Sequence, residues 1–371
     1  MCRSSRLTIH SILLASLLVA GGQLRAADVP PLVDLFVSGE GGYHTYRIPA
    51  MVTTNEGSLL VFCEGRKTSS IDDGDNDMLM RRSTDGGVSW SEIMLVHEEG
   101  GDAIITIGNA CPVVDRRTGI VWLTMNRGND QVLVSHSKDD GQSWSTARDI
   151  TDQVKKPEWG WYATGPGVGI QLQHGPNWGR LLIPCDHRET KDRSGPSRSH
   201  IIYSDDHGRT WQLGGALGYR SNECQVAERI DGTLLLNARN HLSRDGKPEL
   251  GKQRLLAVSS DQGLNWSDMK VQSSLIEPTC QASLISYPRS SDDGRSWMLF
   301  ANPASRTARE KMTVRLSIDG GRRWSAGRLL YEGSSAYSSL SVLKDKRVGI
   351  VFERDGYKRI SFAAFPVDWL R

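Results

Sequence analysis

Side chains that can bind anions or transfer protons stand at widely separated places in this 371-residue chain. Arginine binds carboxylate or phosphate groups through a planar fork of N–H donors, and acidic side chains transfer protons. The candidates are Arg47, Arg66, Arg239, Arg315, Asp72, Glu223, Glu353 and Tyr337. Together they could hold an anionic ligand and exchange protons with it.

Each candidate taken alone also has an ordinary structural explanation. An arginine near a strand end is usually a solvated charge or half of a weak ion pair. Glu223 and Glu353 are equally suited to pairing with arginines, and Tyr337 to packing. The acidic loop 72–77 is a solvated turn or, with its oxygen ligands, a calcium loop. Their shared placement at strand ends favours a site over these alternatives.

The elements that position these residues follow a repeated octet, S-x-D-x-G-x-x-W. It begins at Ser83, Ser137, Ser204, Ser259 and Ser317, with intervals of 54, 67, 55 and 58 residues. Aspartate bonds backbone amides in a turn, glycine supplies positive φ, and tryptophan adds a large apolar plug. Repeats of this length indicate propeller blades. A sixth match, residues 290–297, falls out of step and is interpreted as an ordinary turn.

Four strands fit between successive octets, with Gly or Asn turns between them and no long helical period. In the first blade they are predicted at residues 47–54, 58–64, 77–83 and 93–97. Residues 337–365 carry strands but no octet. The sequence therefore predicts an all-β, six-bladed β-propeller as a single domain over residues 27–371, with each octet joining the third strand of a blade to the fourth.

This topology predicts where a site lies. The octets and the turns between first and second strands share one end of the blades. First strands begin, and second strands finish, at the opposite end. Arg47, Glu223 and Tyr337 open first strands; Arg239 and Glu353 close second strands. Residues from different blades are therefore expected to meet there, far from the octets.

The first 26 residues read as a signal peptide, with Arg3 and Arg6 before a short apolar run and a small-residue cleavage region. The protein is accordingly expected to be secreted or periplasmic, without membrane insertion. Loss of Arg3, Arg6 and Arg25 would change the net charge from +2 to −1, and no nucleic-acid motif appears. Cys63, Cys111, Cys185, Cys224 and Cys280 are scattered, which favours buried thiols over disulfides or a zinc site.

The chain as a whole resembles the exo-α-sialidases (neuraminidases) of bacterial and animal type. The resemblance is carried by the five octets together with short motifs in a fixed order: residues 46–49 (YRIP), 222–225 (NECQ), 237–240 (NARN), 313–315 (TVR) and 336–338 (AYS). It implies a six-bladed propeller that hydrolyses terminal sialic acids from glycoproteins, glycolipids or oligosaccharides with retention. It implies no metal and no cofactor, and we expect a monomer.

The resemblance also implies roles for the candidates. Arg47, Arg239 and Arg315 match the family's carboxylate-binding arginine triad, and Glu353 matches the acid that holds the first of them. Tyr337 matches the nucleophile, Glu223 its partner and Arg66 an arginine that contacts the sugar ring. Asp72 matches the acid/base, preferred over adjacent Asp73 by its distance after Arg66.

Two other readings stay open. A non-catalytic glycan-binding propeller would keep the octets but would not need Tyr337 and Glu223. A trans-sialidase or an intramolecular trans-sialidase that forms an anhydro sugar would use the same site. Residues 159–162 (WGWY) are a candidate acceptor platform.

Overall fold

Antiparallel β-strands form nearly all the regular structure of the computed structural model, which describes Met1 and residues 29–101, 103–245, 250–288 and 294–371. The helical segments are short: α1 (Thr151–Val154) and 3-10 turns at Leu242–Asp245 and Val367–Leu370. No helix in these ranges has the length and apolar character needed to cross a membrane. The predicted signal peptide falls almost wholly on residues 2–28, outside the described residues.

The strands form four sheets of four or five strands and one of seven. A first strand, β1 (Val33–Val37), belongs to the seven-stranded sheet. The first sheet contains β2 (Thr45–Thr53), β3 (Leu59–Arg66), β4 (Asn76–Ser83) and β5 (Met94–His97). The second contains β6 (Ile107–Val114), β7 (Val121–Arg127), β8 (Gln131–Ser137) and β9 (Arg148–Asp149).

The third sheet has its inner strand in two pieces. It contains β10 (Tyr162–Thr164), β11 (Ile170–Gln171), β12 (Leu181–Arg188), β13 (Ser197–Ser204) and β14 (Gln212–Ala216). The fourth contains β15 (Ser221–Glu228), β16 (Leu234–Asn240), β17 (Gln253–Ser259) and β18 (Lys270–Ile276). The strands predicted for the first blade match β2 to β5 within two residues at every end.

The seven-stranded sheet joins the last part of the chain to its first strand. It contains β19 (Ser283–Tyr287), β20 (Trp297–Pro303), β21 (Glu310–Ser317), β22 (Arg328–Val342), β23 (Val348–Arg354) and β24 (Arg359–Phe365), and β1 pairs with β24. The long strand β22 pairs with β21 through its first half and with β23 through its second half. The sheet pattern is thus propeller-like, but it does not divide into six separate sheets.

Inner strands of successive sheets contact one another in a closed order. β2 contacts β6, β6 contacts β10 and β11, β11 contacts β15, β15 contacts β19, β19 contacts β22, and β22 contacts β2. The ends of second strands and the starts of first strands lie on one side of this arrangement, named here the mouth face. The octets lie between third and fourth strands on the opposite side, the octet face. The predicted all-β class is confirmed.

Each octet forms the same hydrogen-bonded turn. In the first, Gly87 N donates to Ser83 Oγ (2.9 Å), Ser83 Oγ donates to Asp85 Oδ1 (2.8 Å), and Ser89 N donates to Asp85 Oδ1 (2.9 Å). The other four octets repeat these bonds. The out-of-step match at 290–297 lies between β19 and β20, and its first four residues are outside the described residues.

The fifth residue of each octet lies against the preceding sheet around the ring. This glycine has a φ of +82° to +96° in every octet, and a Cβ there would lie within 2.8 Å of a side chain of that sheet. Gly208 is the clearest case, since its Cβ would come 2.2 Å from the Trp122 ring. The octets therefore need glycine for both backbone conformation and space, and they fix the spacing of neighbouring sheets.

Apolar side chains fill the space between sheets. The largest cluster joins residues of the first, second and seven-stranded sheets, including Phe62, Leu123 and Phe352. The five predicted thiols are all buried and free, which confirms that interpretation.

Replacing Gly208 with alanine tests the packing role of the octet glycine. Gly208→Ala adds both positive-φ strain and the clash with Trp122. Gly39→Ala adds only the strain, because Gly39 has a φ of +88° and open space around its Cβ position. We expect Gly39→Ala to cost about 1 kcal/mol and Gly208→Ala about 2 kcal/mol more, measured by urea unfolding. Equal losses would contradict the packing role.

Candidate functional site

Tyr337 lies at the centre of a polar cluster on the mouth face. Its side chain is buried, and its hydroxyl donates a short hydrogen bond to Glu223 Oε1. Arg239 Nη1 donates both to Tyr337 Oη (3.2 Å) and to Glu223 Oε2 (2.8 Å). The second half of β22 supplies Tyr337, while β15 and β16 supply the other two, so residues more than 90 positions apart form one hydrogen-bonded unit.

The phenol is neutral and paired with a base. Burial and the negative charge of Glu223 raise the pKa of Tyr337 well above its ordinary value, although Arg239 opposes this shift. A proton can pass to Glu223 along the hydrogen bond that already exists. The Arg239 guanidinium is placed to stabilise the phenolate that this transfer would leave.

A single buried carboxylate, that of Glu353, holds Arg47 and Tyr337 in place. Its oxygens accept from Arg47 Nε (2.6 Å), from Ile48 N (2.8 Å) and from Tyr337 N (3.0 Å). Ile48 has a φ of +60°, which is strained for a β-branched residue. Glu353 therefore compensates for strained backbone while it fixes the guanidinium of Arg47.

Asp72 stands at the solvent side of this cluster. Its Oδ1 lies 2.8 Å from Arg66 Nη1 and 3.9 Å from Arg47 Nη1, and its side chain is 69% exposed. Arg66 is buried and donates to Glu64 Oε2 through Nε (3.1 Å) and Nη2 (2.8 Å). The structure thus brings Arg66 and Asp72 to Arg47.

The structure does not bring Arg315 to this cluster. Its buried guanidinium donates to Asn302 Oδ1 (3.2 Å) near the end of β21, two residues before the octet at Ser317. Among the described residues, no hydrogen bond, ion pair or ring contact joins it to Arg47, Arg239 or Tyr337. The third strand runs from the mouth face to the octet face, so a residue near its end lies at the wrong face.

Arg309, which the sequence analysis left out, occupies the expected position instead. It directly precedes β21 at the mouth face, and its guanidinium carbon lies 5.5 Å from the centre of the Tyr337 ring. The Arg47 guanidinium carbon lies 5.4 Å from the same ring centre. The sequence could have pointed to Arg309, because in the predicted topology third strands begin at the same face where second strands end, and Arg309 lies at the start of a third strand.

Tyr357 is a second residue that the sequence analysis missed. The Arg47 guanidinium lies over its ring at 4.0 Å, and its hydroxyl accepts from Arg309 Nη1 (2.9 Å). It belongs to the turn between β23 and β24 and has a φ of +69°. One tyrosine thus contacts two of the clustered arginines.

The carboxylates of the acidic loop 72–77 pair with cationic side chains rather than converging on one point. Asp72 pairs with Arg66, and Asp75 and Asp77 pair with Lys67. Across the ranges that the structure covers, no group of three His, Cys, Asp or Glu side chains is suitably placed for a metal ion.

Acid should destabilise the protein through His241, which lies two residues after Arg239 in the sequence. Burial lowers its pKa to about 2, helped by the positive charges of Arg239, Arg244, Arg188 and Arg220. An unfolded-state histidine binds a proton below about pH 6.5, whereas the native one does not until about pH 2. Stability is therefore lost as the pH falls below 6.5.

We expect acidification from pH 7 to pH 5 to lower the free energy of unfolding by about 2 kcal/mol less in His241→Asn than in the unmodified protein. Urea unfolding at the two pH values measures this difference. An unchanged pH dependence in the variant would contradict a neutral, buried His241.

Comparison with known proteins places the chain among sialidases. Residues 57–350 match the model of the BNR repeat-like domain. The chain is 34% identical to a sialidase of Micromonospora viridifaciens over 96% of its length and 32% identical to one of Bacteroides fragilis over 85%. It spans about three-fifths of those two relatives, 58% and 61%.

Solved structures agree with this placement. Hadza microbial sialidase Hz136 superposes with a TM-score of 0.81 at 31% identity, covering 90% of this chain and 68% of that one. A leech intramolecular trans-sialidase shares the fold, with a TM-score of 0.76 at 17% identity, covering 91% of this chain and 70% of that one. The chain belongs to the sialidase family with BNR repeats.

Proposed function

We propose that this protein is a retaining exo-sialidase that hydrolyses terminal α-linked sialic acids with Tyr337 as its nucleophile. The observation that supports this most directly is the buried phenol hydrogen-bonded to Glu223 and Arg239. The sialidase relatives support the substrate class.

The substrate explains why a phenol is suited to this task. Sialic acid carries a carboxylate on its anomeric carbon, so a carboxylate nucleophile would approach an anion. Two unit charges 4 Å apart repel by about 4 kcal/mol at an effective dielectric constant near 20. A neutral tyrosine avoids this repulsion, and sialidases are the known tyrosine exception among glycosidases.

Arg47, Arg239 and Arg309 are proposed to hold the substrate carboxylate. All three lie within hydrogen-bond or ring-contact distance of Tyr337, so a carboxylate between them would place the anomeric carbon beside the phenol oxygen. This assignment replaces Arg315 with Arg309. Glu353 would keep Arg47 oriented, and Arg66 would contact the sugar ring.

Asp72 is proposed to act as the acid and then as the base. In the first step Tyr337 Oη attacks the anomeric carbon, Glu223 takes the phenol proton, and Asp72 protonates the departing glycosidic oxygen. In the second step Asp72 takes a proton from water, the hydroxide attacks the anomeric carbon, and Tyr337 regains its proton from Glu223. The exposure of Asp72 is consistent with contact to both leaving group and water.

The proposal extends to the number of blades, the extent of the domain and the state of the protein. We propose that the propeller has six blades; the separate pairing partners of the two halves of β22 and the ring of six inner positions support this. Residues 27–371 would form this single catalytic domain after removal of the signal peptide. An exported monomer acting on sialylated glycoconjugates, without a cofactor, completes the proposal.

Release of 4-methylumbelliferone from its α-sialic-acid glycoside tests this function. We expect turnover by the unmodified protein and a loss in kcat on the order of 10³-fold or more in Tyr337→Phe. NMR of the product distinguishes hydrolysis with retention, which first releases the α-anomer, from formation of an anhydro sugar. No turnover by the unmodified protein would instead favour a glycan-binding role, and full activity of Tyr337→Phe would refute the nucleophile.

Exchange of arginine for lysine tests the corrected carboxylate site. Arg309→Lys keeps the charge but loses the planar fork, so we expect kcat/KM to fall about tenfold to a hundredfold. The matched control is Arg315→Lys in β21, the strand that Arg309 directly precedes, and for it we expect a change in kcat/KM of less than about threefold. The opposite ranking of the two variants in steady-state kinetics would restore Arg315 to the site.

A further inference from the structure

One aromatic residue on the mouth face has no part in the mechanism above. Trp161 lies between Trp159 and Tyr162, which are both buried, and it is itself only half-buried. The Arg193 guanidinium lies over its ring at 5.6 Å. Of the aromatic residues at 159–162, Trp161 alone presents appreciable surface to solvent.

The surface around Trp161 is rigidly built. Gly160 N donates to Arg188 O, and Arg188 N donates to Trp161 O, so this segment continues the edge of the third sheet. Any Cβ on Gly160 would lie 2.2 Å from Thr190 O, which shows how closely the loop 189–196 packs against it. That loop is stabilised in turn by bonds from Thr190 and Ser194 to Asp192. A half-exposed tryptophan on such a support is preorganised for contact.

Two series of contacts connect Trp161 to the side of the site where Asp72 lies. Along the rim, Arg193 donates to Gly128 O (2.9 Å), Gly128 N donates to Thr106 O (2.8 Å), and Thr106 donates to Gly74 O (2.6 Å) in the Asp72 loop.

A second series runs through the interior of the mouth face. Tyr162 N donates to Asn129 O (2.8 Å), Asn109 donates to Asn129 Oδ1 (2.6 Å), and Asn109 N donates to Glu64 Oε1 (2.9 Å), the partner of Arg66. Ile71 and Ile104, largely exposed on the same rim, extend its apolar surface.

We propose that Trp161 and Arg193 form a subsite for the sugar rings of the aglycone, the part of the substrate beyond the cleaved bond. This rests on the proposed function, because Asp72 would protonate the glycosidic oxygen and the aglycone therefore leaves on its side. The indole face packs against the C–H face of a sugar ring, and the guanidinium donates to its hydroxyl groups. The subsite favours oligosaccharide substrates over sialosides with a small aglycone.

Two substrates with alkyl-type leaving groups test the subsite: sialyllactose, which has aglycone rings, and methyl α-sialoside, which has none. We expect Trp161→Ala to lower kcat/KM for sialyllactose about fivefold to twentyfold and to leave that for methyl α-sialoside within about twofold. The matched control is Trp178→Ala, since Trp178 is an exposed tryptophan with Arg117 over its ring, in the turn before β12 on the octet face. We expect it to change neither value.

Arg193→Ala removes an exposed side chain and should lower sialyllactose cleavage selectively, about twofold to fivefold, with Arg117→Ala as its control. Equal effects of Trp161→Ala on both substrates, or none, would overturn the subsite while leaving the sialidase activity intact. Absence of turnover of both substrates by the unmodified protein would overturn the proposed function and the subsite with it.

Discussion

The site depends on the hydrogen bonds accepted by the buried carboxylate of Glu353. It joins the first sheet to the seven-stranded one by accepting hydrogen bonds from Arg47, Ile48 and Tyr337. These contacts fix the Arg47 guanidinium, the strained backbone at Ile48 and the backbone of Tyr337, which carries the phenol. Loss of this buried charge would leave Arg47 without its closest anionic partner in a desolvated position, which is costly. The site and the closure of the ring are therefore stabilised by the same atoms.

Charge balance explains the composition of the cluster. Arg47, Arg239 and Arg309 repel one another, and burial penalises each. Glu353 compensates Arg47 and Glu223 compensates Arg239, whereas Tyr357 offers Arg309 only a neutral oxygen. The three cations thus face two nearby carboxylates, apart from the exposed Asp72. Arg309 is thus the one of the three for which the described residues supply no carboxylate partner, and this suits an anionic ligand.

Much of this could be predicted from the sequence because the octets are strong local signals. They fix the ends of third strands, and from these follow the mouth face and the positions of Arg47, Glu223, Arg239, Tyr337 and Glu353. Arg315 was predicted to bind the carboxylate from its local motif, and its short distance from the octet, which places it away from the other candidates, was not taken into account. At about 3.3 Å per residue along a strand, the six positions between Arg309 and Arg315 amount to about 20 Å, which is the difference between the two faces.

Other features had no local signal. The continuity of β22 across two pairing partners depends on how neighbouring sheets meet, and the pairing of β1 with β24 joins residues more than 300 positions apart. Tyr357 lies in a turn whose sequence only marks a change of direction. Its contacts with Arg47 and Arg309 arise from tertiary packing.

The octet glycines that pack against the preceding sheet limit where the chain can gain residues. Because neighbouring sheets interlock on the octet face, extra residues are accommodated on the other side with least disturbance. The longest interval between octets, the 67 residues from Ser137 to Ser204, includes α1, the segment leading to Trp161 and the loop that carries Arg193. The octet face thus constrains the packing of the sheets, whereas the loops of the mouth face can change in length around the same polar cluster.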